Sequence, residues 1–474
     1  MAATAELGGK FKRGLAFSLI NTVLSRLVTF TLGIVLARIL TPEEFGIYAT
    51  ALLVQLFLMV INDLGVGNAL IRREGEVKPM IPTAWTMSVG GGLICTILAY
   101  FGSGTLAWAL GSPNATGVLQ LMSLNILING FASVPASVLA REFRQGKRLK
   151  ADAAGLVVNV TLTFTLAMTG FGPWSLAIGH VTAGAFVNVL LMALSGCWPV
   201  FGFDRRHSGE VARVGLAMAG SSVLLIALQG TAQAVTGRFL GEAAIGLFFI
   251  ANNVANWPIQ IISKTLERVA LPTFARAREG DGDFGTTAGT VIGVAAGAVL
   301  ICGTGLAVLA EPIVQVVYGH QWLAAATMLA GLALANVARI VAELVFHLLI
   351  AANSMLISVL PQLAWLLVLV PASAIGAHVW GFEGIGWAQA AVGFGWAVPV
   401  HLWCARKAGA RLGALLRTLV LPVSISAVLA LLLLGLVTVA PNELVAMLGG
   451  GVLIAGALLL VYRQVKRLTA IDAR

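Results

Sequence analysis

Charged residues are scarce in this chain. Only 11% of its 474 residues are Asp, Glu, Lys or Arg, whereas an ordinary globular protein has roughly 25%. Hydrophobic residues make up 58% and the mean hydropathy is +0.93. A soluble protein of this length could not cover its surface with so few charges, which excludes a cytosolic enzyme, a disordered chain and a nucleic-acid-binding domain. The composition predicts a membrane protein that crosses the bilayer many times.

Cysteines and hydrophilic segments are also few. Four cysteines stand far apart without a CxxC pair: Cys95, Cys197, Cys302 and Cys404. This spacing excludes a disulfide framework or a cysteine-rich metal site, and we interpret the four as packing thiols. The longest hydrophilic stretch, roughly residues 263–286, has no room for a catalytic or ATP-binding domain. We therefore expect no enzyme activity, no cofactor and no metal.

Apolar runs long enough to cross a bilayer recur along the sequence. A span needs about 20 residues, and fourteen runs qualify: 15–37, 45–62, 84–108, 117–139, 153–171, 174–197, 214–236, 244–262, 287–310, 323–350, 355–376, 384–404, 418–439 and 444–462. The first run is too long for a signal peptide and lacks a convincing cleavage site, so we interpret it as a retained helix. The pattern predicts an all-α polytopic membrane protein with about 14 transmembrane helices.

Basic residues are distributed unevenly between the predicted loops. With the N-terminus inside, the inner loops and termini hold 26 of the 30 Lys and Arg, and the outer loops hold only Arg38 and Arg238. Arg26 and Arg339 fall inside spans. This bias is the positive-inside pattern of cytoplasmic loops, and it explains the net charge of +10 as a topology signal. It predicts an even number of spans and two cytoplasmic termini.

Two stretches 200 residues apart resemble each other, namely 37–48 and 237–248. The matching pairs are Arg38 with Arg238, Leu40 with Leu240, and Gly46 with Gly246. Six spans separate the copies, so both enter the membrane from the same side, as in a parallel repeat. The repeat predicts an N-terminal lobe (residues 1–213, spans 1–6), a C-terminal lobe (214–404, spans 7–12) and two extra helices (405–474, spans 13 and 14).

Polar residues follow one face of several predicted spans. Span 1 carries Ser18, Thr22, Ser25, Arg26 and Thr29, span 4 carries Asn125 and Asn129, span 7 carries Gln229 and Gln233, and span 8 carries Asn252, Asn256 and Gln260. Such stripes line a cavity, or they form hydrogen bonds that hold the helices together. Taken together, they predict the walls of a polar cavity. Arg26, with Arg339, is our candidate for binding an anionic headgroup.

Span 10 combines an acid, a base and a histidine. Arg339, Glu343 and His347 follow each other at intervals of four residues, on one slowly drifting helix face. They form either an ion pair that neutralises itself in the membrane or a relay for a coupling ion such as H⁺ or Na⁺. Asp63 at the end of span 2 is a further coupling candidate, although it could equally cap the following turn. His180 in span 6 is a weaker one.

Three segments in the first 150 residues form recognisable motifs: Leu40-Thr-Pro-Glu-Glu-Phe-Gly-Ile-Tyr-Ala49, Asp63-Leu-Gly-Val-Gly-Asn-Ala-Leu-Ile-Arg-Arg-Glu74 and Pro135-Ala-Ser-Val-Leu-Ala-Arg-Glu-Phe-Arg144. Together they resemble the polysaccharide exporters of the multidrug/oligosaccharidyl-lipid/polysaccharide exporter superfamily. The resemblance implies a flippase that moves oligosaccharide units linked to undecaprenyl diphosphate across the bacterial cytoplasmic membrane. It also implies a cationic cavity with an arginine in the first helix, where Arg26 stands.

The expected partners follow from this resemblance. They are the lipid-linked oligosaccharide, membrane lipids, and the polymerase and glycosyltransferases of the same polysaccharide, but no nucleic acid. Two alternatives stay open at this point: an ion-coupled multidrug exporter of the same superfamily and a membrane-embedded polysaccharide polymerase. The first would favour acidic cavity residues and the second a long outer loop with acidic or histidine residues. This sequence has two buried arginines and short outer loops.

Overall fold

The computed structural model describes residues 27–63, 66–72, 76–257, 284–351 and 355–471. The described α-helices are α1 (Leu27–Ala37), α2 (Pro42–Asp63), α3 (Val66–Arg72), α4 (Ile81–Ala109), α5 (Thr116–Arg141), α6 (Gln145–Met168), α7 (Pro173–Ser195), α8 (Arg205–Leu240), α9 (242–257), α10 (Phe284–Val308), α11 (Ala310–Val317), α12 (Ala325–Ala351), α13 (Met355–Val392), α14 (Val398–Lys407), α15 (Leu412–Val439) and α16 (Glu443–Ile471). No strand occurs in these ranges.

Eleven helical ranges in the described part are long and apolar enough to cross a membrane. One of them, Val359–Lys407, has 49 residues, which at about 1.5 Å per residue is more than twice the roughly 30 Å of a hydrocarbon core. It contains a break at Gly381, where φ is 62° and ψ is −137°, a conformation that glycine reaches without steric cost. This range therefore holds the predicted spans 11 and 12. The all-α polytopic fold is confirmed.

The eleven ranges account for twelve of the predicted spans, and only spans 1 and 8 extend outside the described residues. Several helices continue beyond the apolar runs into charged sequence. α8 begins at Arg205 and α15 at Leu412, whereas the apolar runs begin at 214 and 418. Charged side chains can reach the membrane surface while the backbone keeps its helical hydrogen bonds. Hydropathy alone therefore placed the first residues of these two helices too late in the chain.

The chain divides into two compact units, Met1–Ala227 and Leu228–Arg474, with the boundary inside α8. In unit 1 the helices α4 and α5 pack so closely that a side chain on Gly130 would lie 2.8 Å from the carbonyl oxygen of Ser88. In unit 2 the helices α10 and α12 meet in the same way, because a side chain on Gly303 would lie 2.8 Å from the carbonyl oxygen of Ala333. Glycine thus allows a close backbone approach in both units.

The last two helices, α15 and α16, pack within unit 2. Gly289, Gly293 and Gly297 form one face of α10, and Cβ atoms added there would meet the Arg411 carbonyl, Thr418 and Pro422. Leu429 and Leu433 of α15 belong to a buried apolar cluster with Val461 of α16. Residues 412–471 are therefore built onto the C-terminal unit. The predicted division at 213/214 and 404/405 stays a prediction.

The two copies of the predicted repeat have matching local structure. In each copy a helix ends, a short turn follows, and the next helix carries a buried glycine at its fifth residue, Gly46 in α2 and Gly246 in α9. Both arginines of the repeat are exposed, Arg38 in the turn and Arg238 in the last turn of α8. The two glycines thus share their position in the helix and their burial.

Candidate functional site

Arg339 lies on α12, the most deeply buried of the membrane-spanning ranges in the described residues. Its Nη1 donates a hydrogen bond of 2.7 Å to Oδ1 of Asn256 on α9. A charged group in a membrane span is costly unless a polar partner or a water-filled cavity compensates it. The side chain of Asn256 is 7% exposed, so this bond is made inside the unit.

Asn256 is itself held in a defined orientation. Its Nδ2 donates to the carbonyl oxygen and to Oδ1 of Asn252, each at 2.7 Å. Because Nδ2 is used in this way, Oδ1 faces the Arg339 guanidinium. A second bond joins the same two helices, from Nδ2 of Asn336 to the carbonyl oxygen of Ala255 at 2.8 Å. The predicted polar faces of spans 8 and 10 therefore meet and form one network.

Glu343 and His347 continue this face along α12. Glu343 is half-buried and acts electrostatically on Arg339 one turn away. His347 is also half-buried, and within the described residues its Nε2 is a buried atom without a hydrogen-bond partner. An imidazole with an unused nitrogen can accept or release a proton. The arrangement places a cation, an acid and a titratable ring along two turns of one buried helix.

In unit 1 a neutral pair occupies the interior. Nε2 of Gln55 on α2 lies 3.2 Å from Nε2 of His180 on α7. Gln55 is only 2% exposed, and in the described part of the chain its Oε1 has no hydrogen-bond partner. The sequence analysis missed Gln55, although an amide in the middle of an apolar span was a signal. His180, the weaker coupling candidate, is thereby placed in a hydrogen bond with an uncharged residue.

The remaining predicted site residues differ in where the structure places them. Ser18, Thr22, Ser25, Arg26 and Gln260 lie outside the described residues. Thr29 and Gln229 are exposed, and Asn129, Gln233 and Asn252 are half-buried. Asn125 is buried on α5, where its Oδ1 occupies the space beside Gly184 of α7. Asp63 is the last residue of α2. A common cavity formed by these residues stays a prediction.

A cluster that the sequence analysis missed lies near the junction of α13 and α14. The helix makes a π-turn over Gly393–Ala397, and Nδ1 of His401 lies 2.7 Å from the carbonyl oxygen of Ala397. The ring of Trp365 meets the His401 ring edge-on at 5.9 Å between centroids. Within the described ranges, the other nitrogen of His401 and the Trp365 nitrogen are buried without partners. Such groups are usually satisfied by ordered water.

The first of the three segments that carry the family resemblance has a clear structural role. Oγ1 of Thr41 accepts from the backbone N–H of Glu44 at 3.3 Å, and Oε2 of Glu44 accepts from the N–H of Thr41 at 2.8 Å. This reciprocal arrangement is a capping box. It begins α2 at the residue after Thr41. The carboxyl group of Glu44 also lies against Gly172, where a side chain would collide with Oε1.

The other two segments contact each other. Nη1 of Arg141 at the end of α5 donates to the carbonyl oxygens of Leu70 at 3.0 Å and Ile71 at 3.4 Å. These carbonyls are at the C-terminal end of the short helix α3, where a positive charge is stabilising. A side chain on Gly67 would lie 2.8 Å from Oγ of Ser137. The spacing of both segments therefore reflects the docking of α3 onto α5.

A helical, highly apolar fold with many ranges long enough to cross a bilayer defines a polytopic membrane protein. Residues 35–327 match the family described as polysaccharide biosynthesis protein, and the chain belongs to that family. It is 30% identical over 325 residues to the succinoglycan biosynthesis transport protein ExoT of Rhizobium meliloti (strain 1021), an alignment that covers 66% of this chain and 65% of ExoT.

Two further comparisons agree with this membership. The lipopolysaccharide biosynthesis protein WzxC of Escherichia coli (strain K12) is 23% identical over 360 residues, covering 74% of this chain and 72% of WzxC. Among solved structures, the lipid II flippase MurJ in an inward closed conformation superposes with a TM-score of 0.78 at 15% identity. That superposition covers 96% of this chain and 100% of the MurJ chain. The described helices thus follow the fold of a known membrane flippase.

Proposed function

We propose that the chain is a flippase that moves lipid-linked oligosaccharide units across the bacterial cytoplasmic membrane for surface polysaccharide biosynthesis. The observation that carries this proposal is the Arg339 guanidinium, which lies half-buried on a membrane-spanning helix and is oriented by Asn256. A guanidinium offers five N–H donors in a fixed plane that matches phosphate oxygens, and the Asn256 bond uses one. Family membership and the names of the relatives support the same substrate class.

The transport cycle follows from the chemistry of the substrate. A diphosphate cannot cross hydrocarbon without compensating charge, whereas a prenyl tail is at home there. In this cycle the headgroup enters a cavity open to the cytoplasm, meets Arg26 and Arg339, and leaves on the outer side after the lobes change orientation. The prenyl chain stays in the lipid. The distribution of Lys and Arg supports cytoplasmic termini and the inner leaflet as the starting side.

Ion coupling is part of this proposal. Glu343 lies one turn from Arg339, so a negative charge on it weakens the local positive potential that holds an anion. His347, with its unpartnered nitrogen in the described structure, can carry a proton beside it. Asp63 is the third candidate for binding H⁺ or Na⁺. The lipid-linked unit leaves chemically unchanged, so no catalytic residue is assigned.

The proposal is tested by export in a strain that lacks the native gene. Arg26→Ala and Arg339→Ala should each abolish surface polysaccharide and accumulate lipid-linked units in the inner leaflet, with normal protein levels in the membrane. The matched control is Arg144→Ala, which removes one exposed arginine on the predicted cytoplasmic side. Full export by both cavity variants would remove the anion-binding role. A change in the mass of the lipid-linked unit during transport would instead indicate enzyme activity.

The multidrug-exporter alternative makes an opposite prediction. A cationic drug would be repelled by Arg339, so neutralising that arginine should improve drug export if drugs were the substrate. Ethidium efflux from cells that carry Arg339→Ala measures this directly. We expect no efflux from the wild type or from the variant.

A further inference from the structure

A second positively charged site lies in unit 2, on helices other than those of the Arg339 network. A cavity of about 540 Å³ opens where the first described turn of α10 meets the turn between α14 and α15. Three arginines line it: Arg406, Arg411 and Arg417. Thr286 of α10 and the first residues of α15 complete the lining. We call it the Arg411 pocket.

The pocket is fixed in place by backbone contacts. The N–H of Arg411 donates to the carbonyl oxygen of Gly285 at 2.9 Å. A Cβ on Gly285 would lie 2.7 Å from the Gly409 carbonyl oxygen, so only glycine allows this approach. Gly409 itself has a φ of 99°, a left-handed conformation that favours glycine. The side chain adds to this contact, because Nη1 of Arg411 donates to Oγ1 of Thr286 on α10 at 3.5 Å.

The electrostatics of the pocket are one-sided. None of the eight residues that line it is acidic. The pocket also contains the N-terminal residues of α15, a helix of 28 residues whose N-cap residue, Arg411, makes no side-chain cap hydrogen bond. First-turn amides carry a partial positive charge. Three guanidiniums that line one cavity raise the positive potential inside it, which attracts an anion.

The surroundings of the pocket indicate the level of the lipid headgroups. Leu416 and Val420 on α15 are 61% and 65% exposed, so the helix presents an apolar face next to Arg417. Trp403 on α14 is 57% exposed, and Nζ of Lys407 lies 3.7 Å from the centre of its ring. Exposed tryptophans and lysines of this kind mark the membrane–water interface. A phosphate in the pocket could therefore belong to a lipid whose acyl chains lie along α15.

We propose that the Arg411 pocket binds the phosphate of an anionic phospholipid headgroup in the inner leaflet. The ligand chemistry is a phosphate ester, recognised by two or more guanidiniums and the amides of the first turn of α15. Basic pockets between membrane helices on the cytoplasmic side bind lipid headgroups in this way. Occupancy of the pocket needs no transport, so it is measured independently of the proposed function.

The experiment uses the purified full chain in a neutral detergent. Phosphatidylglycerol is titrated and binding is read by native mass spectrometry, with phosphatidylcholine and inorganic phosphate as separate arms. We expect phosphatidylglycerol to bind and the double variant R411Q/R417Q to weaken its binding by about tenfold or more, as expected for the loss of charge-assisted hydrogen bonds. Lys407→Gln is the matched control, because it removes one charge beside the pocket without changing its lining.

Three outcomes would overturn the proposal. Unchanged lipid binding in the double variant would exclude the pocket, and an equal loss in Lys407→Gln would show only a general charge effect. Inorganic phosphate that competes at the same concentration as phosphatidylglycerol would assign the site to a soluble anion. If the double variant fails to fold, Arg417→Gln alone provides the test, because its side chain is exposed. We expect Arg417→Gln to bind phosphatidylglycerol several-fold more weakly than Lys407→Gln binds it. Equal affinities of these two variants would contradict the proposal.

Discussion

The two units use their polar interior residues differently. In unit 1, Gln55 and His180 form a pair of neutral side chains between α2 and α7. In unit 2, Arg339 is bound by Asn256, and Glu343 lies one turn away. Both pairs join a helix to a neighbour, but only the second places a formal charge where an anion could bind. Similar packing of the units thus does not imply similar chemistry.

The basic residues at the predicted cytoplasmic ends show a second difference. In unit 1, Arg141 binds carbonyls at the end of α3, and Nζ of Lys147 donates to the carbonyl of Leu194 near the end of α7 at 2.7 Å. In unit 2, Arg406, Arg411 and Arg417 line a cavity. Basic residues on the predicted cytoplasmic side therefore cap helices in unit 1 and line the Arg411 pocket in unit 2.

The largest effect is expected where the units are most alike. Gly130→Ala in unit 1 and Gly303→Ala in unit 2 each place a Cβ 2.8 Å from a backbone oxygen of the adjacent helix. We expect each to destabilise the protein by about 2–3 kcal/mol, since neither backbone can move easily. Thermal unfolding in detergent measures this. The control is Gly90→Ala on α4, which has open space around it and should be neutral. If either variant unfolds at the wild-type temperature, the two glycine contacts are not equally tight.

The next effect separates the two interior pairs. Asn256→Ala should reduce export by about tenfold, because Arg339 loses the charge-assisted bond that orients it. Replacing both Gln55 and His180 by leucine should leave export within about twofold, because removing both members of a neutral pair leaves neither of them unpaired. Initial rates of surface polysaccharide appearance compare the two. Equal losses would show that both units contribute to the substrate path.

A smaller effect tests the capping role in unit 1. Arg141→Ala should destabilise the protein by about 1–2 kcal/mol, because the carbonyls at the end of α3 lose their charged donor. Arg144→Ala is matched for charge and position. Its ion pair with Glu142 at 2.9 Å joins two half-exposed side chains and is worth under about 1 kcal/mol. Thermal unfolding of both variants should show the difference, and equal shifts would reduce the Arg141 contact to a surface charge effect.

The smallest effect concerns thiol reactivity at the same membrane side. Burial raises the pKa of the Cys197 thiol, which lies in the segment that follows α7. The reactive thiolate is therefore scarcer than usual at neutral pH, and alkylation should still accelerate above the ordinary thiol pKa. A cysteine introduced as Arg406→Cys is exposed and should react faster at pH 7. Maleimide labelling followed by mass spectrometry compares them. Faster labelling of Cys197 would contradict its burial.

Some features of the site could be predicted from the sequence, and others could not. The spacing of Arg339, Glu343 and His347 predicted one buried helix face, because four residues advance little more than one turn. The partner of Arg339 was not predictable, since Asn256 is 83 residues away and is one of several amides on the same polar stripe. Gln55 was missed because its partner, His180, is 125 residues away and hydropathy does not show which spans meet.

Composition and charge order alone determined that this is a polytopic α-helical membrane protein. The reason is physical: a hydrocarbon core excludes unpaired backbone groups and charges, so span length and loop charge are written directly into the sequence. Only the tertiary structure decided which polar groups meet and where arginines cap helices or line a pocket. Those contacts depend on which face each helix turns towards its neighbour and on where glycines let two helices pack closely. Hydropathy shows neither, because the residues in contact are far apart in the chain.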